Sequence, residues 1–179
     1  FYHLPILHKD TFGPTYNNKT INDAWGPHQR NVQPDERYLA LAELPEDEWQ
    51  ISKMVSGVWT IFPHISIASF YGGGLRGAMI SQLFPGDKVG ESYTTQFYVM
   101  EKKPSDEVAI KAAHEQFDFL KIVVRDEDYK TGKRQHEALQ SGLMKDVLFG
   151  RNERGGQVFH TWAAKLLEAT DDELVEMFA

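Results

Sequence analysis

Alternating hydrophobic and polar positions in the middle of the chain predict a β-sheet. Between residues 53 and 102, four apolar runs are separated by turn formers; the runs are Val58–Phe62, Ile65–Phe70, Ala78–Phe84 and Glu91–Met100. Gly72-Gly73-Gly74 and Pro85-Gly86-Asp87 supply two of the turns. Period-two runs of β-branched and aromatic residues between turns are typical of antiparallel strands. We therefore expect three or four antiparallel strands in this region.

Helical periodicity replaces this alternation in the second half of the chain. The stretch 105–142 reads as helical with Ser105 as its N-cap, and a second helix is expected to start near Asp126. Residues 155–168 predict another helix with one apolar side, formed by Val158, Phe159, Trp162, Ala163 and Leu166. A capping box of Thr170 and Glu173 predicts a short helix over Leu174–Phe178. Residues 9–50 instead carry repeated turn formers, which predict a long irregular stretch with a short helix near 35–43.

A meander followed by a long helix is an α+β arrangement, and we expect one domain over residues 1–179. The net charge of −7 argues against a nucleic-acid partner. The absence of cysteine excludes disulfides and cysteine-ligated clusters within the chain. No apolar run approaches the length of a membrane span, and no signal peptide is visible, so we expect a cytoplasmic protein without a membrane partner.

Two histidines near the start of the chain are candidate metal ligands. His3 and His8 precede a distant acidic cluster at 125–129, and two imidazoles with one carboxylate form the facial triad of non-haem iron(II) sites. On a regular helix, however, this spacing would rotate the two side chains by about 140° from each other. Pro5 also disfavours a helix between them. Spacing alone therefore favours two ordinary histidines over two ligands.

Helical phase distinguishes the three acids of the cluster. The stripe that starts at Asp128 continues through small, amide and apolar residues, and so does the adjacent stripe, so both are predicted to face inward. Their members are Gly132, Gln135, Leu139 and Gly142 in the first stripe, and Tyr129, Gly132, His136, Leu139 and Leu143 in the second. The stripe from Asp126 is charged, and the stripe from Glu127 is intermediate. Asp128 is thus the predicted buried carboxylate, which needs a partner or a metal. An acid that only favours the helix dipole, paired with Arg125, explains the pattern equally well.

At these residues the chain resembles the catalytic domain of Rieske non-haem iron ring-hydroxylating oxygenases, in the large (α) subunit. Three stretches carry the resemblance: Tyr2 to His8, Arg125 to Tyr129 with Gln135 and Ser141-Gly142, and Phe149 to Glu153 with Gly155-Gly156-Gln157, Phe159-His160 and Trp162. The resemblance implies a helix-grip fold of the START and Bet v 1 type, in which an antiparallel sheet curls around a long helix and encloses an apolar cavity. It also implies that His3, His8 and Asp128 bind one Fe(II).

The same resemblance implies the reaction and the partners. Fe(II) and O2 would hydroxylate a small aromatic or apolar substrate, with electrons from a Rieske 2Fe-2S cluster supplied by ferredoxin and reductase donors. The expected assembly is a homotrimer, with or without a β subunit. The Rieske domain is absent from these residues, so we expect the chain to be part of a longer protein. His64, Gln135 and His136 are candidates for lining the pocket or supporting the ligands.

Two other functions remain open at this point. One is a non-catalytic helix-grip domain that binds a hydrophobic ligand without a metal. The other is a zinc-dependent hydrolase that uses His3, His8 and Asp128.

Overall fold

The computed structural model describes residues 21–34, 43–49, 55–72, 75–151 and 153–178. Within them, six antiparallel strands form one sheet in sequence order. The strands are β1 (Ile21–Trp25), β2 (His28–Pro34), β3 (Val55–Ile61), β4 (Ile65–Gly72), β5 (Leu75–Pro85) and β6 (Ser92–Met100). Strands β3 to β6 confirm the predicted meander.

Strands β1 and β2 correct the prediction that residues 9–50 are irregular. The turn at Trp25-Gly26-Pro27 was predicted, but its flanks pair as a hairpin, with Trp25 opposite His28. Gly26 has a φ of 57°, which favours glycine. These strands are rich in Asn, Asp and Gln, which are depleted in strands generally, so the pattern concealed them. Most of the helix expected near 35–43 lies outside the described residues.

One continuous helix of 34 residues follows the sheet. It comprises α1 (Glu107–Val123), a π-helical segment (Val124–Tyr129, the π segment below) and α2 (Lys130–Gln140). The expected break near Asp126 is therefore wrong, because the backbone widens there without ending the helix. The N-cap is also Asp106 rather than Ser105, since Asp106 Oδ1 accepts the Ala109 N–H at 2.8 Å. This hydrogen bond lowers the pKa of Asp106.

The last two helices agree closely with the prediction. Helix α3 spans Arg154–Glu168, and α4 spans Asp171–Met177 after a capping box of Thr170 and Glu173. The predicted apolar side of α3 is half-buried at every position: Val158, Phe159, Trp162, Ala163 and Leu166. A short 3-10 turn at Glu46–Glu48 completes the described helical elements.

The strand register aligns a row of residues, all polar except Ala24, across one face of the sheet from β1 to β6: Ala24, Gln29, Thr60, Ser66, Ser81 and Gln96. The adjacent row on this face is Asn22, Asn31, Val58, Ala68, Met79 and Tyr98. Helices cover this face at both ends of the sheet. Buried Met79, Leu120 and Val123 supply apolar core on the covered side.

The long helix lies along the edge strand β6 and runs antiparallel to it. The Phe117 ring stacks on Tyr98 with centroids 6.0 Å apart. Twelve residues further along the helix, the Tyr129 hydroxyl donates a hydrogen bond to Thr94. Helix α3 covers the opposite edge, where Gln29 Nε2 donates to the Gly155 carbonyl at 2.9 Å. Within the described residues, no helix combines the length and the apolar composition needed to cross a membrane.

Candidate metal centre

The whole acidic cluster lies in the π segment. A π turn closes its hydrogen bonds over one more residue than an α turn, which widens the helix locally, and such turns are frequent at functional sites. Arg125 Nε and Nη2 donate to Asp126 Oδ1 and Oδ2 at 2.7 and 2.8 Å. This bidentate pairing lowers the pKa of Asp126, whose side chain is exposed. The pairing with Arg125 that we considered for the buried acid therefore belongs to Asp126.

Glu127 and Asp128 are both half-buried, and both take part in interactions. The structure thus excludes Asp126 as the buried carboxylate, as the phase argument predicted. Burial does not separate Glu127 from Asp128. The choice of Asp128 as the ligand remains a prediction that depends on the resemblance.

Beyond Asp128, only part of the predicted inward face meets the sheet. Gly132, Gln135 and Leu139 are exposed, Leu139 at 37%. The side chains that reach the sheet belong to the neighbouring stripe, which contains Tyr129 and His136. The π turn explains this difference, because it adds a residue to one turn and shifts the α-helical phase.

The three candidates for the pocket occupy different places. His136 is half-buried against the β5–β6 turn, where a Cβ added at Gly90 would lie 2.7 Å from its Nε2. Gln135 is exposed beside it. His64 is exposed in the β3–β4 turn, with its ring centroid 5.9 Å from that of Phe84.

The described residues by themselves do not assemble a metal site. Among them, no group of three or more His, Asp or Glu side chains is arranged to hold a metal ion. His3 and His8 lie outside the described residues, so Asp128 is the one predicted ligand whose position is known. Its half-buried carboxylate, together with two imidazoles, is a donor set that fits Fe(II).

An apolar cleft of about 400 Å³ lies between β6 and α1. Nine residues line it: Gln96, Phe97, Tyr98, Met100, Pro104, Ile110, Ala113, His114 and Phe117. Burial raises the pKa of the Tyr98 hydroxyl in its wall. At 1.5 Å per residue, Phe117 and Asp128 are separated by roughly 16 Å along the helix. The cleft suits an apolar molecule, but this part of its wall is remote from the proposed ligand.

Sequence reasoning missed a cluster of amides on β1 and β2. Gln29 is 3% exposed, and Asn22 Nδ2 donates to Asn31 Oδ1 at 2.7 Å. The cluster receives the start of α3, because Gln29 also binds Gly155. Its signal was the period-two run of amides at Gln29, Asn31 and Gln33, which is strand-like in period although it is polar.

Comparison with protein-family models shows the family of this chain. The family model described as "Ring hydroxylating alpha subunit (catalytic domain)" matches residues 1–169. The chain belongs to this family of ring-hydroxylating oxygenase catalytic domains. The family implies an oxygenase that uses non-haem iron, and the sheet and long helix confirm the expected helix-grip fold. No curated protein and no solved structure matches the chain.

Proposed function

We propose that the protein hydroxylates an aromatic or related apolar substrate with O2, at one Fe(II) held by His3, His8 and Asp128. The observation that supports this most directly is the half-buried Asp128 carboxylate in a π segment, inside a chain that belongs to the oxygenase family. We also infer that the electrons come from a Rieske 2Fe-2S cluster, supplied by a ferredoxin and a reductase, and that the protein assembles as a trimer.

The metal, when bound, would supply the activation of O2. The chain's own residues would hold the metal, compensate nearby charge and bind the substrate. Three protein ligands leave coordination positions open for O2 and substrate. Arg125 neutralises Asp126 on the exposed side of the π segment, so the negative charge there is already compensated. The apolar cleft between β6 and α1 offers an apolar surface to which a substrate of this kind could bind.

The metal content of matched aspartate variants tests this proposal. We expect the purified full-length protein to contain about one catalytic-site iron per chain, after allowance for any cluster iron. Asp128→Ala should lose that iron with its circular dichroism unchanged, because a carboxylate ligand is removed. Asp126→Ala is the control, since this neighbour has the same charge but is exposed and paired with Arg125. His3→Ala and His8→Ala should behave as Asp128→Ala does.

Other results would favour the two alternatives. Zinc in place of iron, lost in the same three variants, would indicate the hydrolase. A reconstituted protein that holds no metal at this site but binds an apolar molecule would indicate the non-catalytic module. Equal iron loss in Asp126→Ala and Asp128→Ala would contradict the assignment of Asp128.

A further inference from the structure

A hydroxyl–hydroxyl contact joins the π segment to the sheet. The Tyr129 hydroxyl donates to Thr94 Oγ1 of β6 at 2.7 Å, across 35 positions of sequence. Tyr129 is the last residue of the π segment and directly follows Asp128. The contact therefore holds the backbone at the residue next to the proposed ligand.

The π segment lies inside a continuous helix. Both ends of the segment continue directly into α-helix, with helical backbone angles at Val123 and Lys130. π turns are rare and appear as single turns inside α-helices, so the surrounding structure has to favour the wider form. Tertiary contacts are the source of such support in this helix.

Those contacts flank the π segment on both sides. Before it, Leu120 and Val123 are buried at 3% and 6% exposure. After it, His136 lies against Gly90 in the β5–β6 turn. The Tyr129–Thr94 hydrogen bond lies between these two contacts along the helix, and Tyr129 belongs to the π segment itself.

We propose that Tyr129 and Thr94 are positioning residues that fix the π segment on β6 and thereby orient the Asp128 carboxylate toward the metal. This inference rests on the proposed function, because it needs Asp128 to be a ligand. Neither residue touches the metal in this proposal. They act through the backbone of the wide turn.

The hydroxyl is the part of Tyr129 that the proposal depends on. Tyr129 is 43% exposed, and a phenylalanine at this position would bury nearly the same apolar surface. Tyr129→Phe and Thr94→Val each remove the hydrogen bond with little change of shape. Thr94→Ser keeps the acceptor and should retain the parent behaviour.

The test has one readout without metal and one with it. In the iron-free protein, hydrogen–deuterium exchange of amides 124–130 should be faster in Tyr129→Phe and Thr94→Val than in the parent. In the reconstituted protein, the dissociation constant for Fe(II), measured by chelator competition, should rise about fivefold, which corresponds to one net hydrogen bond of typical strength. The electron paramagnetic resonance spectrum of the nitric oxide complex should change its rhombicity. Tyr93→Phe is the matched control, because Tyr93 lies on the same strand and stacks on Phe84 instead.

The outcomes separate the two proposals. Unchanged local exchange and unchanged iron affinity in both Tyr129→Phe and Thr94→Val overturn the positioning role while leaving the iron site in place. Faster exchange with unaltered iron affinity and spectrum shows a merely structural bond and also overturns it. A parent protein that binds no Fe(II) overturns the proposed function and the orientation of a ligand with it, whereas the exchange result still reports whether the hydrogen bond holds the π segment.

Discussion

Substitution by alanine at three helical glycines should change the free energy of unfolding differently, according to what the new methyl group contacts. A Cβ at Gly132 would have no neighbour within 4 Å. At Gly155 it would lie 3.2 Å from Gln29 Oε1, and at Gly156 it would lie 2.6 Å from the Phe149 ring. Positive φ values in the described residues occur at other glycines, so alanine fits all three backbones.

The magnitudes follow from two competing effects. Alanine stabilises a helix interior by roughly 0.5–1 kcal/mol relative to glycine, and by less in the first turn. Overpacking in a filled site costs about 1–3 kcal/mol. Gly132→Ala should therefore stabilise the protein by roughly 0.5–1 kcal/mol, Gly155→Ala should be near neutral, and Gly156→Ala should destabilise it by about 1–2 kcal/mol.

Urea unfolding followed by tryptophan fluorescence gives these free energies from the midpoint and the slope. Phe149→Leu added to Gly156→Ala should recover part of the loss, because it removes the ring edge that the methyl group meets. If Gly156→Ala stabilised the protein as much as Gly132→Ala, the packing of Phe149 on α3 described above would be incorrect.

Two further perturbations test local features. Gly142→Ala should destabilise the protein by about 1 kcal/mol because Gly142 has a positive φ. Gly90→Ala should destabilise it more, because Gly90 also has a positive φ and its new methyl group would displace His136. An equal loss of thermal stability in the two variants would contradict the contact between Gly90 and His136. Asp106 has a lowered pKa in the folded protein because it accepts the Ala109 N–H, so the stabilisation it provides is present above its unfolded pKa and is lost as the pH falls through the folded value. Asp106→Asn keeps a capping side chain without the charge, and the free energy of unfolding should then fall less steeply on acidification than in the parent.

The sheet could be predicted where apolar alternation is strong and not where it is polar. Strands β3 to β6 follow their β-branched runs, whereas β1 and β2 bury amides against α3. Gln29 is acceptable there because it finds the Gly155 carbonyl, which lies far along the chain. A partner so distant leaves no local trace of the contact, and the polar alternation of β2 alone was read as a loop.

The site could be predicted as far as regular helical geometry holds. Phase placed Asp126 on the solvated side, and the structure agrees. Of the two stripes predicted to face inward, the one from Asp128 is exposed at Gln135 and Leu139, because the π segment inserts a wide turn that the residue pattern did not indicate. The Tyr129–Thr94 contact was missed for the same reason as the amide cluster, since it joins residues 35 positions apart.

The order of the strands has a consequence for how the chain closes on itself. Each strand pairs with its neighbour in sequence, so contacts such as the hydrogen bond from Gly57 N–H to Ser69 Oγ span only 12 positions. The bond from Gln29 to Gly155 spans 126. Loop-closure entropy grows with the logarithm of length, which makes the second contact about 2 kcal/mol more costly to close than the first. The strand pairings of the sheet thus carry a low loop-closure cost. The packing of α3 on β1 and β2 becomes less costly once the elements between them have folded.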